Sequence, residues 1–192
     1  MEFGLVRLVG SSFLWLFAVV AYSQPYRALT VDDFQGAPRS NGRGVIAYTN
    51  CTINFHYEAH REKDRYRLDF NIRLILNNNK SWMDKRRVTS DEMLAEILKH
   101  EQGHYIIAYM EQQELLREVN RTIFGADYQY EAANIFNRID AKYKQLNFNY
   151  DEDTQHMVNR VQQQSWDAYF KKRLEYMPPV DEWFRIVYYS LI

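Results

Sequence analysis

His100-Glu101-Gln102-Gly103-His104 is the stretch of this sequence best equipped for chemistry. Its H-E-x-x-H spacing puts two imidazoles on one face of a helix, about one turn apart, where both can reach a single ion. Neutral imidazole nitrogens suit Zn²⁺, with bonds of ~2.0–2.1 Å in a tetrahedral site. Glu101 follows the first ligand directly and can handle the proton of a metal-activated water. Two histidines at helical spacing also occur as plain core or surface residues, so the surroundings must support the motif. They do: it lies inside a helical pattern, between Leu94-Ile97-Leu98 and Ile107-Ala108. Gly103 costs roughly 1 kcal/mol in a helix relative to Ala, which predicts a close packing partner at that point.

A catalytic zinc takes a third protein ligand and keeps one position open. The extended pattern H-E-x-x-H-x-x-G-x-x-H fails here, because the chain carries Ile107 and Met110 where Gly and His are required. Glu111, Glu114 and Glu118 lie too far along the helix to reach the metal. The remaining candidates fall in Tyr150-Asp151-Glu152-Asp153-Thr154-Gln155-His156. His156 is the first choice as third ligand. Asp151 and Asp153 are alternatives, as ligands, as helix caps, or as carboxylates that orient a ligating imidazole. Tyr150 could stabilise an oxyanion, although a core role is the simpler reading for it and for Tyr105. His56 and His60 fall at a hairpin and are expected in solvent; Cys51 reads as a small buried hydrophobe.

The elements that must position these groups form two halves. Val45, Ala47, Thr49, Cys51, Ile53, Phe55 and Tyr57 alternate with mostly polar residues, as do Tyr66, Leu68, Phe70, Ile72, Leu74 and Leu76. That period of two predicts an antiparallel hairpin turning at the charged run from His60 to Arg65. Thr89-Ser90-Asp91-Glu92 fits a capping box with Glu92 three residues after the cap, opening a helix to about Arg121 or Ile123. A second helix is expected near Glu131 to Leu146, on the stripe Ala132, Ile135, Phe136, Ile139 and Tyr143. A third is expected from about Asp153 to Met177, with Val158, Val161, Trp166, Tyr169, Phe170 and Leu174, stopped by Pro178-Pro179. The segment Trp183 to Tyr189 reads as a last strand or packing segment. Strands followed by three main helices, without a linker or repeat, predict one α+β domain over 24–192.

Composition narrows the classes. The 192 residues carry 24 Lys plus Arg against 25 Asp plus Glu, a net charge of −1, which provides no basic field for nucleic acid. One Cys cannot build a disulfide framework. Residues 1–23 read as a secretory signal peptide, with Arg7 ahead of the apolar run Phe13 to Val20 and Ala21-Tyr22-Ser23 as the cleavage site before Gln24. The apolar stretch is short of the ~20 residues a membrane span needs. The mature chain is therefore expected to be exported, without a membrane span, periplasmic or secreted.

The H-E-x-x-H motif makes the chain resemble the zincin metallopeptidases. A finer resemblance is to an uncharacterised family of exported bacterial proteins regarded as zinc-dependent proteases of that clan. It rests on His100 to His104, on Tyr150-Asp151-x-x-Thr154-x-His156, and on Gln163-x-x-Trp166. Leu29-Thr30-Val31-Asp32-Asp33-Phe34-Gln35-Gly36, with Val31 where that family has Trp, and Ala47-x-Thr49 extend it. Met157 departs from it, standing where that family has Gly. The resemblance implies a zincin-like fold, one Zn²⁺ per chain, export, and an extended peptide substrate added along a sheet edge. The expectation is a zinc-dependent peptidase with His100, His104 and His156 as ligands and Glu101 as general base. Its rivals are an envelope binding or scaffold protein with a structural or relic zinc site, and hydrolysis of a non-peptide amide.

Overall fold

The computed structural model describes residues 26–39 and 45–177. The predicted signal peptide, the Pro178-Pro179 stop and the segment Trp183 to Tyr189 lie outside the described residues. The architecture is α+β: antiparallel strands first, then three helices. Strands β1 (Ala47–Tyr48), β2 (Cys51–Glu62), β3 (Arg65–Leu76) and β4 (Trp82–Met83) precede helices α1 (Asp91–Arg121), α2 (Tyr128–Thr154) and α3 (Arg160–Tyr176).

The expected hairpin is β2–β3, in register from Cys51 opposite Leu76 to Glu62 opposite Arg65. Lys63 turns it with a φ of 56°. Leu68, Phe70, Ile72 and Leu74 are buried while Arg67, Asp69, Asn71 and Arg73 face solvent, as the alternation requires. The upstream alternation is not one continuous strand, however. It breaks at Thr49-Asn50, where the chain leaves β4, the partner of β1, and joins β3. Asn50 fixes the switch: its N–H donates to Ser81 Oγ and its carbonyl accepts from the Asn77 N–H.

The buried face of the hairpin packs on α1. Ile106, Ile107 and Met110 share a core with Leu68, Phe70 and Ile72, and with Ala132, Ile135, Ile139 and Tyr143 of α2. A second cluster gathers Leu29, Phe34, Ala47 and Leu74 around Ile97, Tyr105 and Tyr109. Each such side chain contributes roughly 1.5–3 kcal/mol of burial, so α1, 31 residues long, is the post around which the molecule assembles. Its N-cap is Ser90, whose Oγ accepts from the Met93 N–H, one residue later than the capping-box reading of Thr89. The N-terminal segment is clipped to the motif helix by Gln102, whose Oε1 accepts from the Leu29 N–H and whose Nε2 donates to the Arg27 carbonyl.

Helix α2 runs to Thr154, eight residues beyond the expected end at Leu146. The reason is visible in its buried positions: Ala132, Ile135, Ile139 and Tyr143 are continued at helical spacing by Tyr150 and Thr154. Asp153 therefore lies inside the last turn of α2 and does not cap a third helix. That helix opens later, with Asn159 Oδ1 accepting from the Gln162 N–H. Of its expected apolar stripe, Phe170 is buried, but Val158 and Val161 are 73% and 71% exposed, and Gln163, which is not on that stripe, is buried as well. Among the described residues, no helix is long and apolar enough to cross a membrane.

Candidate metal centre

His100 and His104 stand one turn apart near the middle of α1, with Nε2 atoms 3.2 Å from each other. The third group at this point comes from α2: Asp151 Oδ1 lies 3.3 Å from His100 Nε2 and 3.2 Å from His104 Nε2. Among the described residues these three form the one cluster of His, Cys, Asp or Glu able to hold a metal ion. A tetrahedral ion with bonds of ~2.0–2.1 Å has ligand atoms about 3.3 Å apart, so the three observed separations already match one face of a zinc tetrahedron.

The other nitrogen of each imidazole is held by an amide oxygen. His100 Nδ1 lies 3.2 Å from Gln163 Oε1, and His104 Nδ1 lies 2.7 Å from Asn147 Oδ1. Amide oxygens only accept, so both Nδ1 atoms carry the proton and both Nε2 atoms of the neutral rings turn a lone pair to the centre. Two lone pairs and a carboxylate oxygen at 3.2–3.3 Å repel one another unless a cation sits among them. The carboxylates around this point likewise favour positive charge there. Burial opposes charge on His104, yet the Asp151 hydrogen bond and the charges of Glu101 and Asp151 outweigh it and hold its pKa up at about 9. Burial likewise opposes charge on Asp151, but its hydrogen bonds to His100 and His104 keep it well below the usual carboxylate range.

Tyr150 is fully buried behind His100, its ring parallel to the imidazole at 4.8 Å. Its hydroxyl donates to the His100 carbonyl at 3.0 Å and accepts from Gln163 Nε2 at 2.8 Å. Those contacts commit it to positioning His100 and Gln163, away from the role of oxyanion stabiliser. Gly103 is the counterpart: a Cβ there would overlap the Tyr150 hydroxyl, which supplies the close neighbour its helix cost predicted. Thr154 Oγ1 donates back to the Tyr150 carbonyl at 2.6 Å.

His156, the expected third ligand, is not among the three mutually converging donors and is hydrogen-bonded to them only through Asp151. It occupies the turn between α2 and α3, and its Nδ1 lies 3.1 Å from Asp151 Oδ1. Gln155, His156 and Met157 all have positive φ, at 49°, 51° and 79°. Three consecutive non-glycine residues in the left-handed region cost free energy, as sites that must hold a particular geometry often do. Asp153 accepts from Trp166 Nε1 at 3.1 Å, tying α2 to α3 outside the cluster. His56 is exposed and His60 pairs with Asp69, both remote on the hairpin. Cys51 is only partly exposed, and burial, with the charges of Glu101 and Glu111, pushes its thiol up to about 12, leaving it unreactive.

Glu101 is 3% exposed beside the two imidazoles, and Thr49 Oγ1 donates to its Oε2 at 2.6 Å. The cluster opens into a groove of about 650 Å³. Residues 45–53 form one wall and α2, from Phe136 to Asp151, the other, with α1 as its floor. Residues 28–157 match the sequence profile of a family described as "Bacterial protein of unknown function (DUF922)". The chain belongs to that family. The match covers the motif, Thr49, Asn147 and Asp151, so this DUF922 chain carries nearly its whole constellation inside the family region; Gln163 lies just beyond it. No curated protein and no solved structure matches the chain.

Asn147 was not marked by any sequence signal. Gln163 figures only in the Q-x-x-W resemblance, and Thr49 in the strand alternation and the A-x-T resemblance, neither with a role at the site. Their roles depend on side chains from other elements and could not be read along the chain.

Proposed function

We propose that this DUF922 protein is an exported zinc-dependent hydrolase of peptide bonds. His100, His104 and Asp151 would hold the metal, and Glu101 would carry the proton. The observation behind the reading is the convergence of two imidazole nitrogens and one carboxylate oxygen at 3.2–3.3 Å around a common point, the face of a tetrahedron of zinc dimensions. A zinc ion bound there would supply Lewis acidity and a water acidified to a pKa near ~7.

The protein's own residues do the rest. Gln163 and Asn147 keep both Nδ1 atoms protonated, so both ligating nitrogens stay available. Glu101 would take the proton the attacking water loses and return it to the departing amine nitrogen. Thr49 occupies Oε2, which leaves Oε1 for that exchange. The wall at 45–53 offers extended backbone along the groove, where a substrate in extended conformation can pair with it. Only three donors converge among the described residues, which favours a site with an open position over a closed structural one.

The test compares wild type with Glu101→Gln, measuring bound zinc by elemental analysis and cleavage of a broad peptide library. About one zinc per chain in both proteins is expected, with cleavage lower by about 10²–10⁴ in the variant. Full activity in Glu101→Gln, or a wild type without zinc, would overturn the reading.

A further inference from the structure

We infer that Thr49 is the positioning residue for Glu101, an assignment that rests on the hydrolase reading above. Glu101 is a carboxylate with 3% exposure, and among the described residues no other side chain hydrogen-bonds its oxygens. Thr49 is itself 7% exposed. A threonine hydroxyl has one proton to give. At 2.6 Å to Oε2 against 3.4 Å to the Glu101 carbonyl, that proton goes to the carboxylate. Hydrogen bonds from a neutral donor to a charged acceptor are shorter and stronger than neutral pairs, and 2.6 Å lies in that range.

The hydroxyl is aimed by the backbone on both sides of it. Tyr48, just before Thr49, is paired with Trp82 in the β1–β4 ladder. Asn50, just after, is bonded through its N–H to Ser81 Oγ, through its carbonyl to the Asn77 N–H, and through Oδ1 to Asn77 Nδ2. Ser81 is fully buried and donates back to the Asn77 carbonyl. Thr49 thus stands at the point where the chain changes strand partners, and the β-branched side chain has few rotamers to wander into. The break in the strand has a purpose on this view. It turns one hydroxyl out of a sheet wall and onto the carboxylate of the neighbouring helix. With Oε2 engaged by the hydroxyl, the carboxylate is oriented and Oε1 is left free of a protein donor among the described residues, as the proton-carrying atom. Such preorganisation acts on the reaction step more than on substrate binding.

The experiment uses the zinc-loaded full chain as wild type, Thr49→Val, which keeps the branched shape without the donor, and Thr49→Ser, which keeps the donor. It measures zinc content, kcat and KM on the best-cleaved library peptide, and the dissociation constant for acetohydroxamate by calorimetry. That probe binds zinc while handing a proton to an adjacent carboxylate. Thr49→Val should retain its zinc and a KM within about twofold, with kcat and hydroxamate affinity lower by about 10–10²-fold. Thr49→Ser should return both to within about threefold of wild type. Unchanged kcat and hydroxamate affinity in Thr49→Val would overturn the assignment. So would a folded Thr49→Ser as impaired as Thr49→Val. Thr49→Ala replaces Thr49→Val if melting curves show that the latter does not fold. A wild type that binds zinc and hydroxamate but cleaves no peptide overturns the peptidase reading alone, and the hydroxamate comparison then still decides on Thr49.

Discussion

Two residues four apart in sequence can bring their side chains together without help from the rest of the chain, and the Nε2 atoms of His100 and His104 meet at 3.2 Å. The third donor is a different matter. Asp151 Oδ1 lies within 3.1–3.3 Å of nitrogens from three histidines, so it is central to the arrangement, with His156 holding it from the groove side. Distinct losses follow. Asp151→Asn removes a ligand charge and should abolish stoichiometric zinc. His156→Ala removes a partner of a ligand and should weaken zinc affinity only by about 10–100-fold. Competition against a zinc-selective chelator measures both. Asp151→Asn binding zinc better than His156→Ala would instead install His156 as the ligand, the order the sequence reading prefers.

Helices α1 and α2 carry the site between them, and their contact also holds a misfit. Glu114 pairs with Lys142 and accepts from the Tyr143 hydroxyl, and Glu118 pairs with Arg138. Glu111, on the groove floor, forms no such pair among the described residues. Burial, then the Asp140 carboxylate, raise its pKa from an ordinary 4.5 to about 7, with Lys144 pulling the other way. A carboxyl raised in the folded state binds its proton more tightly there than in the unfolded chain. Its stabilising effect is whole below about pH 4.5 and is lost as pH rises through about 7. Glu111→Gln should therefore raise the melting temperature at pH 8 by about 3–6 °C and leave it unchanged near pH 4.5. The gain corresponds to about 1–2 kcal/mol after allowing for partial exposure. Calorimetry at the two pH values checks it. Element existence was legible from periodicity: hairpin, motif helix and two further helices all occur. The end of α2 was not, because Asp151 and Asp153 resemble caps in sequence, while the buried positions Tyr150 and Thr154 carry the helix past them.

At the scale of the molecule, the centre joins α1 to the end of α2, and α2 leads through the strained turn at Gln155 to Met157 into α3. A metal held there links segments about 50 residues apart in sequence and stabilises the folded state by mass action. At free zinc about 1,000-fold above its Kd the effect is roughly 4 kcal/mol. Chelation should lower the melting temperature by about 8–16 °C in a domain of this size, and added zinc should restore it. A melting curve indifferent to chelator would argue against a metal spanning the two helices. The sequence by itself determined the α+β order, the hairpin register face, the metal-competent pair with its neighbouring glutamate, and the absence of a basic field, because all of these depend on local spacing or summed charge. The tertiary structure alone decided which downstream donor meets the pair, which amide oxygens set the imidazole tautomers, and that Thr49 rather than a helix neighbour holds Glu101. Those are distances between side chains on different elements, set by where α2 ends and where β1 gives way to β2, and periodicity within one element carries no record of them.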